Sequence, residues 1–222
     1  MKKLGLVLVL VAFVASGVFA QFAMSFGAGG ILDMSLGNGY EYNITEKTTV
    51  AFDNTSFGGF VFFDITYAEI ELDYLYGTIG NTVNGKDQGK TFSGVFNQLG
   101  IGIMGKYPID LGIMTLFPMI GINYNMVSSY EIDGKEYSKV TGADLKSYTI
   151  SEYFSQLGIL AGVGADFTLT DQLFLRAEVQ FHLRLPSKRQ EIFTDVAKKF
   201  DDNAVSTLGA GPRIKIGVGY KL

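Results

Sequence analysis

The strongest constraint on the fold of this chain is a repeated alternation of apolar and polar residues with a period of two. From Arg213 to Leu222, every even position is apolar and every odd position is charged or glycine. From Leu173 to Leu185, every odd position is apolar, and all even positions except Phe174 are charged or polar. A period of two places the apolar side chains on one face of a β-strand. Both segments therefore predict long strands with a single apolar face.

Six further segments indicate strands, which brings the predicted number to eight. They are residues 22–34, 57–63, 68–76, 98–103, 116–125 and 157–167. The segment 57–63 is apolar on both faces, so its phase is left open. No stretch after residue 20 is long and apolar enough for a membrane helix of ~20 residues. The predicted fold class is therefore all-β.

Composition removes several classes of function. The chain has 222 residues, 18% of them charged, with no cysteine and one histidine. Charge below the ~25% of a typical soluble domain, together with abundant glycine and aromatic residues, disfavours disorder and nucleic-acid binding. The lack of cysteine excludes disulfides, thiolate metal sites and cysteine nucleophiles. We expect no cofactor, no metal site and no catalytic residue.

The first twenty residues have the pattern of an export signal. Lys2 and Lys3 precede an apolar stretch, and Val18-Phe19-Ala20 resembles a signal peptidase site before Gln21. An uncleaved membrane anchor is the alternative, but the apolar stretch is short for a span of ~20 residues. We expect a Sec signal peptide over residues 1–20 and a mature domain over residues 21–222.

The connections between the predicted strands alternate between short and long. Short ones are expected at residues 64–66, 107–110 and 168–171. Long polar ones are expected at about residues 37–55, 78–93, 127–153 and 186–208. With both chain ends on one side, all short turns share that side and all long loops share the other. This asymmetry is typical of outer-membrane barrels, and a soluble sandwich has no reason to sort its loops in this way.

The polar face of the strands is rich in glycine and carries a few large charged residues. This suits a narrow barrel lumen, where glycine makes room for large side chains, better than the outer face of a sandwich. A three-residue turn at 169–171 would place Asp166 opposite Phe174 and Gly164 opposite Arg176. The apolar face then contacts lipid, and aromatic residues near both ends are expected to form two girdles. They are Tyr67, Tyr107, Phe167 and Tyr220 at the short-turn end and Tyr76 and Tyr124 at the other.

These features resemble the small eight-stranded outer-membrane proteins, the group that includes the OmpA transmembrane domain, OmpX and OmpW. The resemblance is architectural and spans residues 21–222. It implies an antiparallel up-and-down transmembrane β-barrel in a bacterial outer membrane. It also implies outer-membrane lipids, periplasmic chaperones and the β-barrel assembly machinery as partners. The C-terminal strand looks like the assembly signal of such proteins, with Tyr220 and Leu222 on its apolar face, although an aromatic residue is customary in place of Leu222.

Strand phase also predicts an ion-pair network in the lumen. Its members are Glu69, Glu71, Asp73, Asp166, Arg176, Glu178, His182, Arg184, Arg213 and Lys215. The acids of the third strand should face Arg176 and Arg184 across the ring, with Arg213 and Lys215 beside Glu178. Pairing is expected because an unpaired buried ion costs several kcal/mol. We favour a salt-bridged plug, and an ion path or gate is the alternative. Apolar lumen positions leave a third interpretation, a route for small apolar molecules: Phe96, Met104, Phe117, Met119, Leu160 and Phe174.

The long loops are where a specific function would lie, because loops on a rigid scaffold carry recognition. In the fourth loop, Ser187 and Gln190 fit a capping box, and Ile192, Val196 and Phe200 recur at a spacing of four. This pattern predicts an amphipathic helix over residues 187–202. Its position, over the lumen mouth or on the membrane surface, is left open.

The sequence favours a structural or surface-interaction role, with adhesin-like binding of a host or surface ligand through the loops. An OmpW-like narrow channel for small solutes or apolar molecules is the first alternative. A lipid-modifying barrel enzyme is the second, and it is weaker because His182 has no serine in phase beside it. We therefore predict a protein that is not an enzyme and that lies in the bacterial outer membrane.

Overall fold

The computed structural model describes residues 23–43, 47–84, 86–87, 94–132 and 134–222. The predicted signal peptide lies outside this described part, so its boundary stays a prediction. Long strands account for most of the described residues. They are β1 (Met24–Asn43), β2 (Lys47–Ile65), β3 (Ala68–Val83), β4 (Gly94–Lys106), β5 (Met114–Ile132), β6 (Gln156–Thr168), β7 (Leu173–Arg184) and β8 (Gly209–Lys221).

These strands form a closed ring of eight. Each strand pairs antiparallel with the next one along the chain. Strand β8 pairs antiparallel with β1, with Gly29 opposite Gly217. Closure leaves the ring without a free sheet edge. The prediction of an eight-stranded antiparallel up-and-down barrel is confirmed. No helix in the described part of the chain is long and apolar enough to cross a membrane.

The outer wall of the barrel is an apolar belt between two aromatic rims. Along β5, Ile120 and Ile122 are exposed, and Tyr124 marks the rim toward the long loops. The ten residue steps from Met114 to Tyr124 span about 34 Å at ~3.4 Å each, or about 26 Å at a strand tilt of ~40°. This height matches the ~25 Å apolar band of a transmembrane barrel. At the short-turn end, the rings of Tyr67 and Tyr107 stack at 6.4 Å.

The turns at one end are short, as expected, but their positions differ from the prediction. The β2–β3 turn consists of Thr66 and Tyr67, because Ile65 pairs with Ala68. The β4–β5 connection runs over residues 107–113 and includes the short strand Ile109–Asp110, which pairs with β5. We call this end of the barrel the turn end.

The register predicted between β6 and β7 was wrong by two residues. Asp166 lies opposite Arg176, and Gly164 lies opposite Glu178. The physical reason is the turn, in which five residues, 169–173, rather than three separate the last cross-strand pair of Thr168 and Phe174. Hydrogen bonds from the Leu169 and Thr170 amides to the Leu173 carbonyl close it. Small side chains still face large ones, with different partners.

The opposite end, called here the loop end, is less irregular than the sequence suggested. The predicted first loop, 37–55, is mostly a continuation of the β1–β2 hairpin, which stays paired up to Asn43 and Lys47. The second and third loops are likewise shortened by β3 and β5. Short strands occur at Lys86–Asp87, Lys135–Tyr137, Lys139–Thr141, Ser147–Thr149 and Val205–Ser206. Two helices complete this end, α1 (Ile150–Phe154) and α2 (Lys188–Ala197).

The structure settles the phase of β2, which the sequence left open. Phe60 and Phe62 point into the lumen and are buried, whereas Val61 and its odd-numbered neighbours face outward. The inward rings fit because β1 carries glycine beside them. A Cβ atom on Gly27 would lie 2.4 Å from the ring of Phe62, and one on Gly29 would lie 2.7 Å from that of Phe60. Both faces of β2 are apolar because the lumen itself contains aromatic rings.

Candidate functional site: the charged lumen and the loop-end mouth

Arg176 is the centre of the ion pairs nearest the turn end. Its guanidinium donates to Glu69 at 2.7 Å, to Asp64 at 2.6 Å and to both carboxylate oxygens of Asp166 at 2.7 Å. Lys106 binds Asp64 at 2.5 Å and Glu69 at 3.4 Å. The guanidinium also lies 4.0 Å from the ring centre of Phe62. A fully buried cation is thus surrounded by carboxylates from three other parts of the ring.

The middle of the lumen is bridged from β8 to β3. Lys215 contacts Glu71, and it also binds Glu178 at 2.6 Å. Arg213 contacts Asp73, and Glu71 lies 3.7 Å from the same guanidinium. These side chains are buried. The pairs therefore cross the interior rather than run along one strand.

A third group of ion pairs lies closest to the loop end. Arg184 binds Asp33 at 2.8 Å, and the Nδ1 atom of His182 lies 3.2 Å from the other oxygen of this carboxylate. The Nε2 atom of His182 has no hydrogen-bond partner among the described residues. All three side chains are buried within the barrel. The histidine is thus held beside a carboxylate in the interior, away from the lipid-facing wall.

The structure places all ten predicted lumen residues inside the barrel, but it pairs some of them differently. Glu69 reaches Arg176 as anticipated, whereas Arg184 pairs with Asp33 rather than with the acids of β3. The sequence analysis missed Asp33, Asp64 and Lys106. Asp33 has the polar phase of its strand and could have been found in this way. Asp64 falls in a segment that the sequence predicts as a turn.

Apolar side chains fill the space between the ion pairs. Met104, Phe117, Met119 and Leu160 form one buried cluster. Gln180 is one of their contacts with the polar network, because its Nε2 atom donates to the Met119 sulfur at 3.2 Å and to Glu178 at 2.8 Å. A second cluster surrounds Arg176 and Lys215 with aromatic rings and aliphatic groups. It contains Ile31, Phe60, Phe62, Leu75 and Phe174.

Three lumen carboxylates are close enough together to be tested as a metal site. Oxygens of Glu69, Glu71 and Glu178 all lie within 4.8 Å of one another. Arg176 and Lys215 bind these same carboxylates. Protein cations therefore already occupy positions that a metal ion would need, and the group belongs to the ion-pair network.

The mouth at the loop end is covered by helix α2. The capping box predicted at its start is present, because Ser187 and Gln190 satisfy each other's backbone and side-chain groups. The Nε2 atom of Gln190 donates to the Asn38 carbonyl at 3.4 Å, and the ring of Phe193 stacks on Tyr40 at 5.1 Å. The helix therefore lies over the lumen. It ends at Ala197, five residues before the predicted end, and Phe200 is exposed beyond it.

Electrostatics at the mouth are dominated by Arg189 of α2. Burial lowers the pKa of its guanidinium, and the nearby hydroxyls of Tyr130, Tyr153 and Tyr40 act in the opposite direction. Burial in turn raises the pKa of each of these three tyrosines. The hydroxyls are therefore neutral at pH 7 and supply no negative charge to the guanidinium.

A separate hydrogen-bonded pair of side chains lies in the third loop. The hydroxyl of Tyr148 donates to Asp144 at 2.6 Å. This hydrogen bond raises the pKa of Tyr148 to about 12 and lowers the pKa of Asp144. Both side chains lie at the solvent surface, so the pair fixes the local loop shape and contributes little to stability.

Two cavities flank the filled part of the lumen. The one beneath α2, called here the mouth chamber, has a volume of about 40 Å³. The one at the turn end is an open vestibule of about 360 Å³, lined by Asp64, Lys106 and Asp166 among others. The ion pairs and the two apolar clusters lie between them.

The closed ring of eight strands, the apolar outer belt and the charged interior define the class, a small eight-stranded transmembrane β-barrel. No known family model matches the chain, and no curated protein matches it. Solved structures of outer-membrane barrels are similar to it. Neisserial surface protein A matches with a TM-score of 0.47 and 12% identity, over 90% of this chain and 97% of that one.

Two further structures show the same kind of similarity. A major outer membrane protein from Thermus thermophilus has a TM-score of 0.45 and 14% identity, covering 90% of this chain and 99% of that one. Ail, the attachment invasion locus protein of Yersinia pestis, has a TM-score of 0.39 and 11% identity over the same shares of the two chains. At these identities the similarity concerns the fold alone.

Proposed function

We propose that this chain is an integral protein of a bacterial outer membrane whose lumen is closed and whose activity lies in surface contacts made by the loop end. The observation that carries the proposal is the set of ion pairs across the lumen. Arg176 on β7 reaches Glu69 on β3, and Lys215 on β8 reaches Glu71 on β3. Strands on opposite sides of the ring are thus joined through its centre.

The location follows from the outer wall and the N-terminal sequence together. An exposed belt of isoleucine, leucine, valine and phenylalanine is stable only where hydrocarbon covers it, because such a patch promotes aggregation in water. The signal-like pattern over residues 1–20 would deliver the chain across the inner membrane. Closed barrels fit the outer membrane, since each strand of the ring is hydrogen-bonded to a neighbour on both sides. The assembly machinery, acting on Tyr220 of β8 and on Leu222 directly after this strand, is the partner that this proposal requires.

Closure of the lumen follows from charge and packing. A solute that crosses the barrel would have to separate buried ion pairs. Each separated ion would then be buried without its partner, at a cost of several kcal/mol. The remaining cross-section is occupied by apolar side chains in contact with one another. We therefore favour the plug over the narrow channel.

The loop end supplies the surface for recognition. It presents the extended β1–β2 hairpin, the third loop with Tyr137 and Tyr148, and helix α2. Tyrosine-rich loops suit contacts with a surface ligand, because each ring brings a large contact area and one hydroxyl. The lipid-modifying enzyme is disfavoured, since His182 is buried beside Asp33 and lies away from the outer wall.

We expect the folded protein to give no conductance steps in planar lipid bilayers. Insertion is checked separately by protection of the barrel from protease. A channel would instead give resolvable steps, and these would increase in Glu71→Ala and Arg176→Ala, because each variant removes one side of a cross-lumen pair. Steps in the wild type that Glu71→Ala enlarges would contradict the plug. Such steps would not contradict the proposed location of the protein in the membrane.

We also expect cleavage of intact cells by added protease to be confined to the loop end. Sites in the third loop and after Lys198 and Lys199, which are exposed beyond α2, should be cut. The turns at 66–67 and 169–172 should be protected, because they would lie in the periplasm. The measurement is mass spectrometry of the fragments, combined with the slower gel migration of the boiled protein. Cleavage at the turns of intact cells would contradict the proposed orientation.

A further inference from the structure

Arg189 is a cation with no carboxylate partner in the described part of the chain. Its guanidinium lies 3.8 Å from the ring centre of Phe52 and 5.4 Å from that of Phe154. The ionisable side chains that act on it are Tyr130, Tyr153 and Tyr40. The two other charged residues of its helix turn, Lys188 and Glu191, pair with each other at 3.4 Å.

None of these neighbours balances the charge. The three tyrosines are neutral at pH 7, and aromatic rings offset only part of the cost of removing a guanidinium from water. Arginine also cannot lose its proton in a protein. A partly buried arginine without a counter-charge is costly, and such charges are normally paired.

The mouth chamber lies beside this cation and carries an excess of positive charge. Arg189 and Arg184 both line it, and no carboxylate among the described residues does. Arg184 is already neutralised by Asp33, so the charge of Arg189 is the one left over. The first turn of α2 also faces the chamber through Ser187 and Gln190. The positive end of the helix dipole adds to the same electrostatic potential.

Polar groups without partners are directed into the same space. The Gln98 Nε2 atom and the Ser35 hydroxyl are buried and have no hydrogen-bond partner in the described part, and both side chains line the chamber. The Oδ1 atoms of Asn38 and Asn54 are in the same situation. Buried polar groups are almost always hydrogen-bonded, so this cluster indicates that something polar occupies the chamber.

We propose that the mouth chamber binds a small inorganic anion. Arg189 supplies the counter-charge, and the Gln98 amide and the Ser35 hydroxyl donate hydrogen bonds. A volume of about 40 Å³ corresponds to roughly three water positions at ~10–15 Å³ each. Chloride, nitrate or a single tetrahedral oxyanion fits this space.

The test is isothermal titration calorimetry of the full protein folded in zwitterionic detergent. Sodium chloride, nitrate and sulfate are titrated separately into protein in sodium gluconate, because gluconate is too large for the chamber. We expect saturable binding of at least one of the three anions. Arg189→Gln should weaken it by roughly tenfold or more, the effect of losing a charged hydrogen bond. Lys188→Gln is the matched control, because it removes the same charge from the adjacent exposed position and should leave binding unchanged.

A second variant keeps the proposal testable if Arg189→Gln fails to fold. Asn54→Asp places a carboxylate of nearly the same shape in the chamber. It should abolish anion binding, because the protein then supplies its own counter-charge. Absence of saturable binding by all three anions would overturn the proposal. Equal affinity in the wild type and in either chamber variant would overturn it as well.

Discussion

Replacing Ile120 with arginine should lower the free energy of unfolding of the protein in lipid vesicles by about 2–4 kcal/mol. Ile120 lies midway along the apolar belt of β5, and its side chain is 64% exposed on the outer wall. In water, an arginine at such an exposed position would be nearly neutral. In a bilayer it would lie at the midplane, where a charge is most costly. The measurement is urea unfolding in vesicles, followed by the gel shift between folded and unfolded forms.

Two control variants test whether the cost of an arginine depends on its depth in the membrane. Ile113→Arg lies at the turn end, just before the same strand, and is 81% exposed, so it should cost only about 0–1 kcal/mol. Leu145→Arg lies in the third loop, is 87% exposed, and should change stability by less than about 0.5 kcal/mol. Equal effects of all three substitutions would contradict a membrane-spanning belt.

Arg176→Met should destabilise the barrel by about 3–5 kcal/mol, because it leaves buried carboxylates without a counter-charge. Glu69, Asp64 and Asp166 all lose a hydrogen bond to the same guanidinium. Methionine retains part of the volume and the contact with Phe62, so the loss is mainly electrostatic. The free energy of unfolding is measured in the same vesicle assay.

The matched control is an ion pair at the surface. Lys47 binds Glu41 at 3.1 Å, but its side chain is largely exposed. Lys47→Met should therefore cost no more than about 1 kcal/mol. The loss of stability for Arg176→Lys should lie between those for Arg176→Met and Lys47→Met. One ammonium group cannot contact all three carboxylates in the way that a planar guanidinium does. A loss for Arg176→Met as small as that for Lys47→Met would contradict the role of Arg176 as the centre of the network.

The number of strands and the two faces of most of them could be predicted from the sequence, because a period of two is a local property. The alternation in Leu173 to Leu185 and in Arg213 to Leu222 indicates which side chains face inward. The alternation does not show which face of β2 points inward. Phe60 and Phe62 point inward because other strands leave space for them. Gly27 and Gly29 on β1 provide the space for these rings.

The ion pairs across the lumen were predicted less well, because they depend on strand register and on the number of residues in each turn. Two additional residues in the β6–β7 turn shifted the partner of Asp166 from Phe174 to Arg176. Asp64 was assigned to a turn and therefore missed as a partner of Arg176. The capping box of α2 was predicted because it depends on Ser187 and Gln190 alone. The position of the helix over the lumen depends on distant contacts such as that of Phe193 with Tyr40.

The joint between the first and last strands has a consequence for how the barrel closes. On its inner side, Gly27 lies opposite Gly219 and Gly29 opposite Gly217. Contacts between the two ends of a chain are the slowest to form, because they require the longest loop closure. In the part of the seam toward the turn end, where these glycines face each other, no interior side chains have to interlock when the ends meet, whereas nearer the loop end Ile31 lies opposite Lys215 and Asp33 opposite Arg213. The bulk that fills the space beside the glycines comes from Phe60, Phe62 and Phe174, which adjacent strands already hold, so this part of β8 can meet β1 without steric obstruction. The ion pairs of Arg213 and Lys215 then form along the rest of the seam.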